Sequence, residues 1–197
     1  MGQGKFPGVK NLGIYCSGIR CREWGFLPNL QHLSYLQTLK IVNFSWLPTN
    51  ENSFPSTITK ISLIYAGINN MKVLGSLPRL QILKLYKCTI YGKLHVIADS
   101  FPGLEVFKLD NLKMEEWKQG RGAMPRLRHL ILKKCTGLTM LPGELCNVTS
   151  LRDVEVLWTT LKLVGMFQEL QTKIGCKLQI YPPPDDIFYK YSCGRSD

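Results

Sequence analysis

The sequence predicts an α/β solenoid, with a curved parallel β-sheet on the concave side and short helical or irregular arms on the convex side. Three observations predict it. An apolar spacing recurs every 22 to 27 residues. A proline stands just ahead of five of the copies, and a helical stretch with one further strand follows the last.

The spacing is clearest in Leu80-Gln-Ile-Leu83-Lys-Leu85-Tyr-Lys-Cys88-Thr-Ile90, which fits L-x-x-L-x-L-x-x-C-x-L in full. Leu127 to Cys135 fits the first nine positions of the same pattern. Laid along the chain, this leucine-rich frame gives seven copies, starting at Val9, Leu36, Ile58, Leu80, Leu104, Leu127 and Leu151. Positions one, four, six and eleven of the copies make 28 places, and only Gly137 among them is not apolar. With 45% hydrophobic residues, composition alone would fill about 13. The frame therefore reflects structure. Positions four and six, from Leu12 and Ile14 to Val154 and Val156, alternate inward along a short strand, and position five points outward. One such coil cannot bury its apolar side alone, so each must stack on its neighbours.

The remaining elements follow in chain order. Phe6-Pro7, Phe54-Pro55, Leu77-Pro78, Phe101-Pro102 and Met124-Pro125 end the returning arms, because proline fixes φ and has no amide donor. Between Leu27 and Leu36 a leucine or its equivalent falls at every third residue, which suits a short helix or 3₁₀ arm. Leu161, Val164, Phe167, Leu170 and Ile174 have a helical period. Lys177 to Ile180 then supplies an eighth strand, and Pro182-Pro183-Pro184 stops it. Residues 1–184 are expected to form one repeat domain and 185–197 a flexible tail. Eight strands make a ladder of roughly 34 Å. No polar capping element precedes Val9, so the chain is expected to be the C-terminal piece of a longer receptor or a truncated gene product.

Composition narrows the function. No stretch approaches about 18 consecutive apolar residues, so no membrane-spanning helix is expected. The Met-Gly-Gln-Gly-Lys-Phe start lacks the apolar run of a signal peptide, and the expected compartment is the cytoplasm. Seven scattered cysteines suit reduced thiols there. The net charge of +11 favours acidic partners. His32, His95 and His129 have no nucleophile partner at a telling spacing, and Cys16-x₄-Cys21 is one pair where a tetrahedral metal site needs two. Cys88 and Cys135 share position nine, where a cysteine packs the turn. Glu115-Glu116 and Asp185-Asp186 are read as solvated loops. No catalytic residue, metal site, cofactor or small-molecule substrate is assigned, and the chain is read as a non-enzyme.

The repeats also resemble a known family. The Phe-Pro-x-Leu spacing, Glu115-Glu116-Trp117 and Leu130-Ile-Leu-Lys-Lys-Cys-Thr-Gly-Leu-Thr-Met-Leu-Pro142 look like the last repeats of plant intracellular immune receptors. They are similar in particular to the coiled-coil, nucleotide-binding group that includes late blight resistance proteins. The resemblance implies effector sensing, defence signalling and a nucleotide-switched domain upstream of the repeats. This chain has no Gly-x-x-x-x-Gly-Lys-Ser/Thr loop to cradle phosphates, so nucleotide binding is not carried over to it.

The outward columns of the strands are the candidate binding face. Lys40, Lys60, Lys84, Tyr86, Lys108, His129 and Lys133 form a basic, partly apolar field that turns acidic at Asp153 and Glu155. Ile64, Ile82, Val106 and Ile131 lie among them, and a purely solvating face rarely holds so many aliphatics. The expected function is a recognition module that binds a pathogen effector or the receptor's own upstream nucleotide-binding domain. A substrate-binding repeat domain of an F-box-type ubiquitin-ligase adaptor is the alternative. It would require an N-terminal helical box that this sequence does not contain. Nucleic acid is disfavoured, because the lysines alternate with aliphatics and the aromatics make no stacking platform.

Overall fold

A computed structural model describes residues 8–17, 27–135 and 137–183. Phe6-Pro7, Ile19, Cys21 and the expected tail at 185–197 lie outside the described residues. Twelve strands run in chain order: β1 (Asn11–Tyr15), β2 (Thr38–Val42), β3 (Lys60–Ile64), β4 (Gly67–Ile68), β5 (Ile82–Tyr86), β6 (Thr89–Ile90), β7 (Leu94–Val96), β8 (Val106–Asp110), β9 (Trp117–Gln119), β10 (His129–Lys133), β11 (Asp153–Leu157) and β12 (Lys177–Tyr181). Eight of them form one sheet in the order β1-β2-β3-β5-β8-β10-β11-β12. Every pairing is parallel, and like positions of the sequence frame face each other: Leu39 pairs with Ile61, Ile61 with Leu83, Leu83 with Phe107, and Phe107 with Leu130.

Inward positions four and six are the core. Leu39, Ile41, Ile61, Leu63, Leu83, Leu85, Phe107, Leu109 and Leu130 are fully or almost fully buried. Each fully buried aliphatic contributes about 1.5–3 kcal/mol through lost water contact. The two inward positions of the edge strand β1, Leu12 and Ile14, are only partly buried.

The backbone continues the stacking past the strand ends. The carbonyl of Gln37 accepts from the amides of both Thr59 and Lys60, and the same fork recurs at Thr59, Gln81, Glu105 and Arg128. At the other end, the amide of position eight donates to the position-seven carbonyl of the next repeat, as in Tyr65 to Tyr86 at 3.0 Å and Lys87 to Asp110 at 2.9 Å. The chain must then turn sharply away. It does so with a left-handed residue at this place in six repeats: Asn43, Tyr65, Lys87, Asn111, Lys134 and Trp158, with φ between 49° and 64°. Asparagine tolerates that region. The bulkier side chains hold it at a cost of about 1–2 kcal/mol each.

The arms are mostly extended or irregular. β4 pairs with β6 and β7 with β9, and short 3₁₀ turns cover Glu51–Ser53 and Gly143–Asn147. Where leucines fall at every third residue, two successive turns form instead of an arm helix, with Leu33 donating to Leu30 and Leu36 to Leu33 at 2.9 Å. A four-residue helical turn covers Lys72–Gly75. The expected closing helix runs over Leu161–Ile174. The Thr160 hydroxyl accepts from the Leu163 amide to start it, and Gly175 at φ 71° ends it. Its apolar stripe, Leu163, Val164, Phe167 and Leu170, is buried.

Two expectations need correction. Trp46 does not point into the core as its apolar frame position suggested. It is 43% exposed, while Phe44 and Leu47 beside it are buried. The thiols are not free throughout either: Cys16 is disulfide-bonded. Cys16 sits half-buried just past the end of the outermost strand, packed against the edge of the core. Cys88 and Cys135 are free and buried, and each thiol donates to the position-six carbonyl of the preceding repeat, Leu63 at 3.4 Å and Leu109 at 3.5 Å. Burial pushes the Cys88 thiol up to about 11 and the Cys135 thiol up to about 12. Both are packing groups. A thiolate, the reactive form, is suppressed at neutral pH.

Candidate functional site

Successive strand residues point to opposite faces, so positions three, five and seven share the side away from the core. The ladder puts Lys40 beside Ser62, Ser62 beside Lys84, and Lys84 beside Lys108. Neighbouring strands lie about 4.8 Å apart. Three ammonium groups thus occupy four consecutive rungs, with the small Ser62 leaving a gap between two of them.

That gap is a real depression. A cleft of about 370 Å³ is lined by Lys40, Ser62, Ile64, Lys84, Tyr86, Lys108 and Asp110. It brings together four of the seven candidate residues: Lys40, Lys84, Tyr86 and Lys108. Their charges are not equally available. Lys108 lies 3.5 Å from Asp110, which is buried to 7% exposure. Neither Lys40 nor Lys84 has a carboxylate partner among the described residues; the Lys40 ammonium stands 5.5 Å from the Tyr15 ring. Lys60 occupies the neighbouring column beside Ile82, outside the cleft.

His129 and Lys133 sit apart from this group. His129 Nε2 is 3.7 Å from both Asp153 and Glu155, so it faces the acidic end of the sheet and does not extend the basic field. Lys133 pairs in register with Asp110 on one side and Leu157 on the other. The acidic loop is also occupied internally. Glu116 pairs with Lys93 and lies 3.3 Å from Lys118, and the hydrogen bond from Lys93 holds its carboxyl below the usual range. Among the described residues no group of three or more His, Cys, Asp or Glu side chains is placed to hold a metal ion. Among the described residues no helix is long and apolar enough to cross a membrane.

A second feature lies at the strand C-termini, in the arms of the second to fourth repeats. Trp46 stacks on Tyr91 with ring centroids 4.5 Å apart and planes 25° from parallel. Lys87 Nζ donates to the Tyr65 hydroxyl at 3.3 Å and stands 5.4 and 5.5 Å from the Tyr65 and Tyr86 ring centres. Trp46, Tyr91, Tyr65 and Lys87 border a cavity of about 390 Å³. Sequence reasoning missed it, because an apolar frame position hides an amphipathic tryptophan.

Comparison with known proteins agrees with the architecture. The family described as "Leucine-rich repeat region" matches residues 4–182. Disease resistance protein RPP8 of Arabidopsis thaliana is 31% identical over 150 residues, covering 74% of this chain and 16% of that protein. Disease resistance protein RPH8A of the same plant is 30% identical over 150 residues, with the same coverage of 74% and 16%. The putative late blight resistance protein homolog R1B-13 of Solanum demissum is 27% identical over 163 residues, covering 77% of this chain and 14% of that protein. The chain therefore spans about a sixth or less of the length of these relatives. With an eight-stranded parallel ladder in the register of the leucine frame and a family match over nearly the whole of it, the chain belongs to the leucine-rich repeat region family.

Proposed function

We propose that this chain is a protein-recognition module of a plant disease-resistance receptor, acting in the cytoplasm through its strand face. The partner is a pathogen effector or the receptor's own upstream nucleotide-binding domain, and it presents acidic groups to Lys40, Lys84 and Lys108. The observation that carries the reading is the row of lysines over the Ser62 gap, two of them with no carboxylate partner among the described residues. Aliphatic Ile64 and Ile82 beside them supply the apolar contact that a solvating face does not need. The names of the relatives point to the same role.

The test is the double reversal Lys84→Glu with Lys108→Glu in a receptor that carries this repeat region. Core positions Leu83, Leu85, Phe107 and Leu109 are untouched. Protein levels should hold while defence signalling falls. Unaltered signalling at normal protein levels would reduce the basic row to a solvated surface.

A further inference from the structure

The aromatic cavity at the strand C-termini lies beside the strand-face cleft and has a different chemistry. Its walls are the Trp46–Tyr91 stack on one side and Tyr65 with Lys87 on the other, and Ser45 and Thr89 add hydroxyls. Among the described residues Lys87 is the only charged side chain that lines it. Its described partners are a tyrosine hydroxyl and two ring faces, with no carboxylate among the described residues. The hydrogen bond from Lys87 to Tyr65 raises the lysine above its ordinary range.

Two features shape this cavity. The first is strain. Tyr65 holds φ 52°, the left-handed turn that position eight makes in six repeats, and its ring remains 51% exposed on the wall of the cavity. A bulky residue in the left-handed region is unfavourable, and an exposed ring recovers little through burial. The second is the floor. A side-chain carbon on Gly67 would lie 1.9 Å from the Ser45 carbonyl oxygen and 3.1 Å from the Tyr91 ring, so only glycine lets the arms close to this geometry. Trp46 and Tyr91, both more than 40% exposed, are thereby held side by side in solvent.

We infer that this cavity is a second recognition site, for an acidic peptide segment whose carboxylate pairs with Lys87 while a neighbouring apolar side chain lies against Trp46 and Tyr91. A cation beside aromatic faces, with no carboxylate among the described residues of the lining, selects a negative group with an apolar neighbour. Single-stranded nucleic acid is less well served. The rings are already paired with each other, Trp46 on Tyr91 and Tyr65 edge-on to Tyr86, and a single cation does not track a phosphate backbone. Tyr86 separates the two sites: it lines the strand-face cleft and lies under Lys87. The inference stands whether or not the strand face binds a partner.

The full chain labelled with 5-fluorotryptophan gives one fluorine signal for each of its four tryptophans, and Trp46→Phe identifies that of Trp46. The probes are the peptide acetyl-Glu-Leu-Glu-Leu-Glu-amide, its glutamine twin, and a short oligouridylate. The Trp46 signal should shift saturably with the acidic peptide and stay fixed with the twin. Lys87→Gln, with its thermal transition preserved, should weaken the response by about tenfold or more. The double reversal Lys84→Glu with Lys108→Glu should leave the Trp46 response in place. Equal shifts with both peptides, no shift with either, or full response in Lys87→Gln would overturn the inference. So would a response to oligouridylate alone, or one abolished by the strand-face reversal.

Discussion

The two ends of the strand face treat their charges differently. At the acidic end, Asp153 and Glu155 both lie 3.7 Å from the same nitrogen of His129, so these two carboxylates share one polar neighbour on the face. Over β2 to β8, Lys40 and Lys84 stand in register with no carboxylate among the described residues, and only Lys108 is compensated, by Asp110. The backbone beneath is the same parallel ladder at both ends. The fold therefore does not dictate the charge pattern, and unbalanced charge marks the part of the face where an external group has something to do.

The comparison can be broken at its foundation first. Leu83→Asp in the basic half and Leu130→Asp near the acidic end each place a carboxylate where the native side chain is fully buried. Each should cost several kcal/mol and abolish the thermal transition. If either variant melted like the parent, the two halves would not share one core.

A smaller effect comes with alkali. A thiol is an acid, and burial raises Cys88 and Cys135 from 9.0 to about 11 and about 12. The folded state therefore holds its protons where the unfolded state releases them. Stability from this source is complete below pH 9 and falls as pH rises towards 11 and 12. The slope is about 1.4 kcal/mol per pH unit for each thiol. Denaturant midpoints measured from pH 8 to pH 11 should fall more steeply for the parent than for Cys88→Ala with Cys135→Ala. Parallel curves would show that the thiols are not enclosed as described.

Charge reversal sharpens the comparison itself. Lys84→Glu with Lys108→Glu should change stability by no more than about 1 kcal/mol, since the changes lie on the outward face. Acidic partners should bind much more weakly. Reversing Glu155 to Lys should not weaken them, because it removes a negative charge from the face and adds a positive one. Equal losses from both ends, measured by calorimetry against one acidic protein, would erase the distinction.

The smallest effect is expected at the half-exposed His129. Its replacement by Gln removes the group between Asp153 and Glu155 and should shift stability by about 0.5 kcal/mol or less, because exposed pairs of this kind are weak. A loss above about 2 kcal/mol in denaturant unfolding would mean that the acidic end is a buried network.

Most of the ladder was legible because its cause is periodic. Leu83 and Phe107 had to face each other once the frame placed both at position four, and they do. The charge pairs were legible in principle. Lys108 and Asp110 are two residues apart on one strand and so share a face, and His129 and Asp153 occupy the same column of adjacent repeats. Reading columns for lysine alone concealed both. Trp46 was not legible, because its exposure follows from Phe44 and Leu47 filling the core on either side, and hydropathy does not rank those three. The left-handed place at position eight had only Asn43 and Asn111 as clues, with Tyr65 and Trp158 disguising it.

The register of the ladder also has a bearing on how such a surface changes over generations. Repeat lengths vary from 22 to 27 residues, yet every strand pairs with its neighbour over the same five positions. Length variation is absorbed in the arms and never reaches the sheet. Substitutions of exposed residues in the three outward columns alter neither the ladder hydrogen bonds nor the buried columns, so each perturbs stability by about 0.5 kcal/mol or less. A lineage can therefore replace the outward residues one by one, and acquire a new target, without passing through an unfolded ancestor.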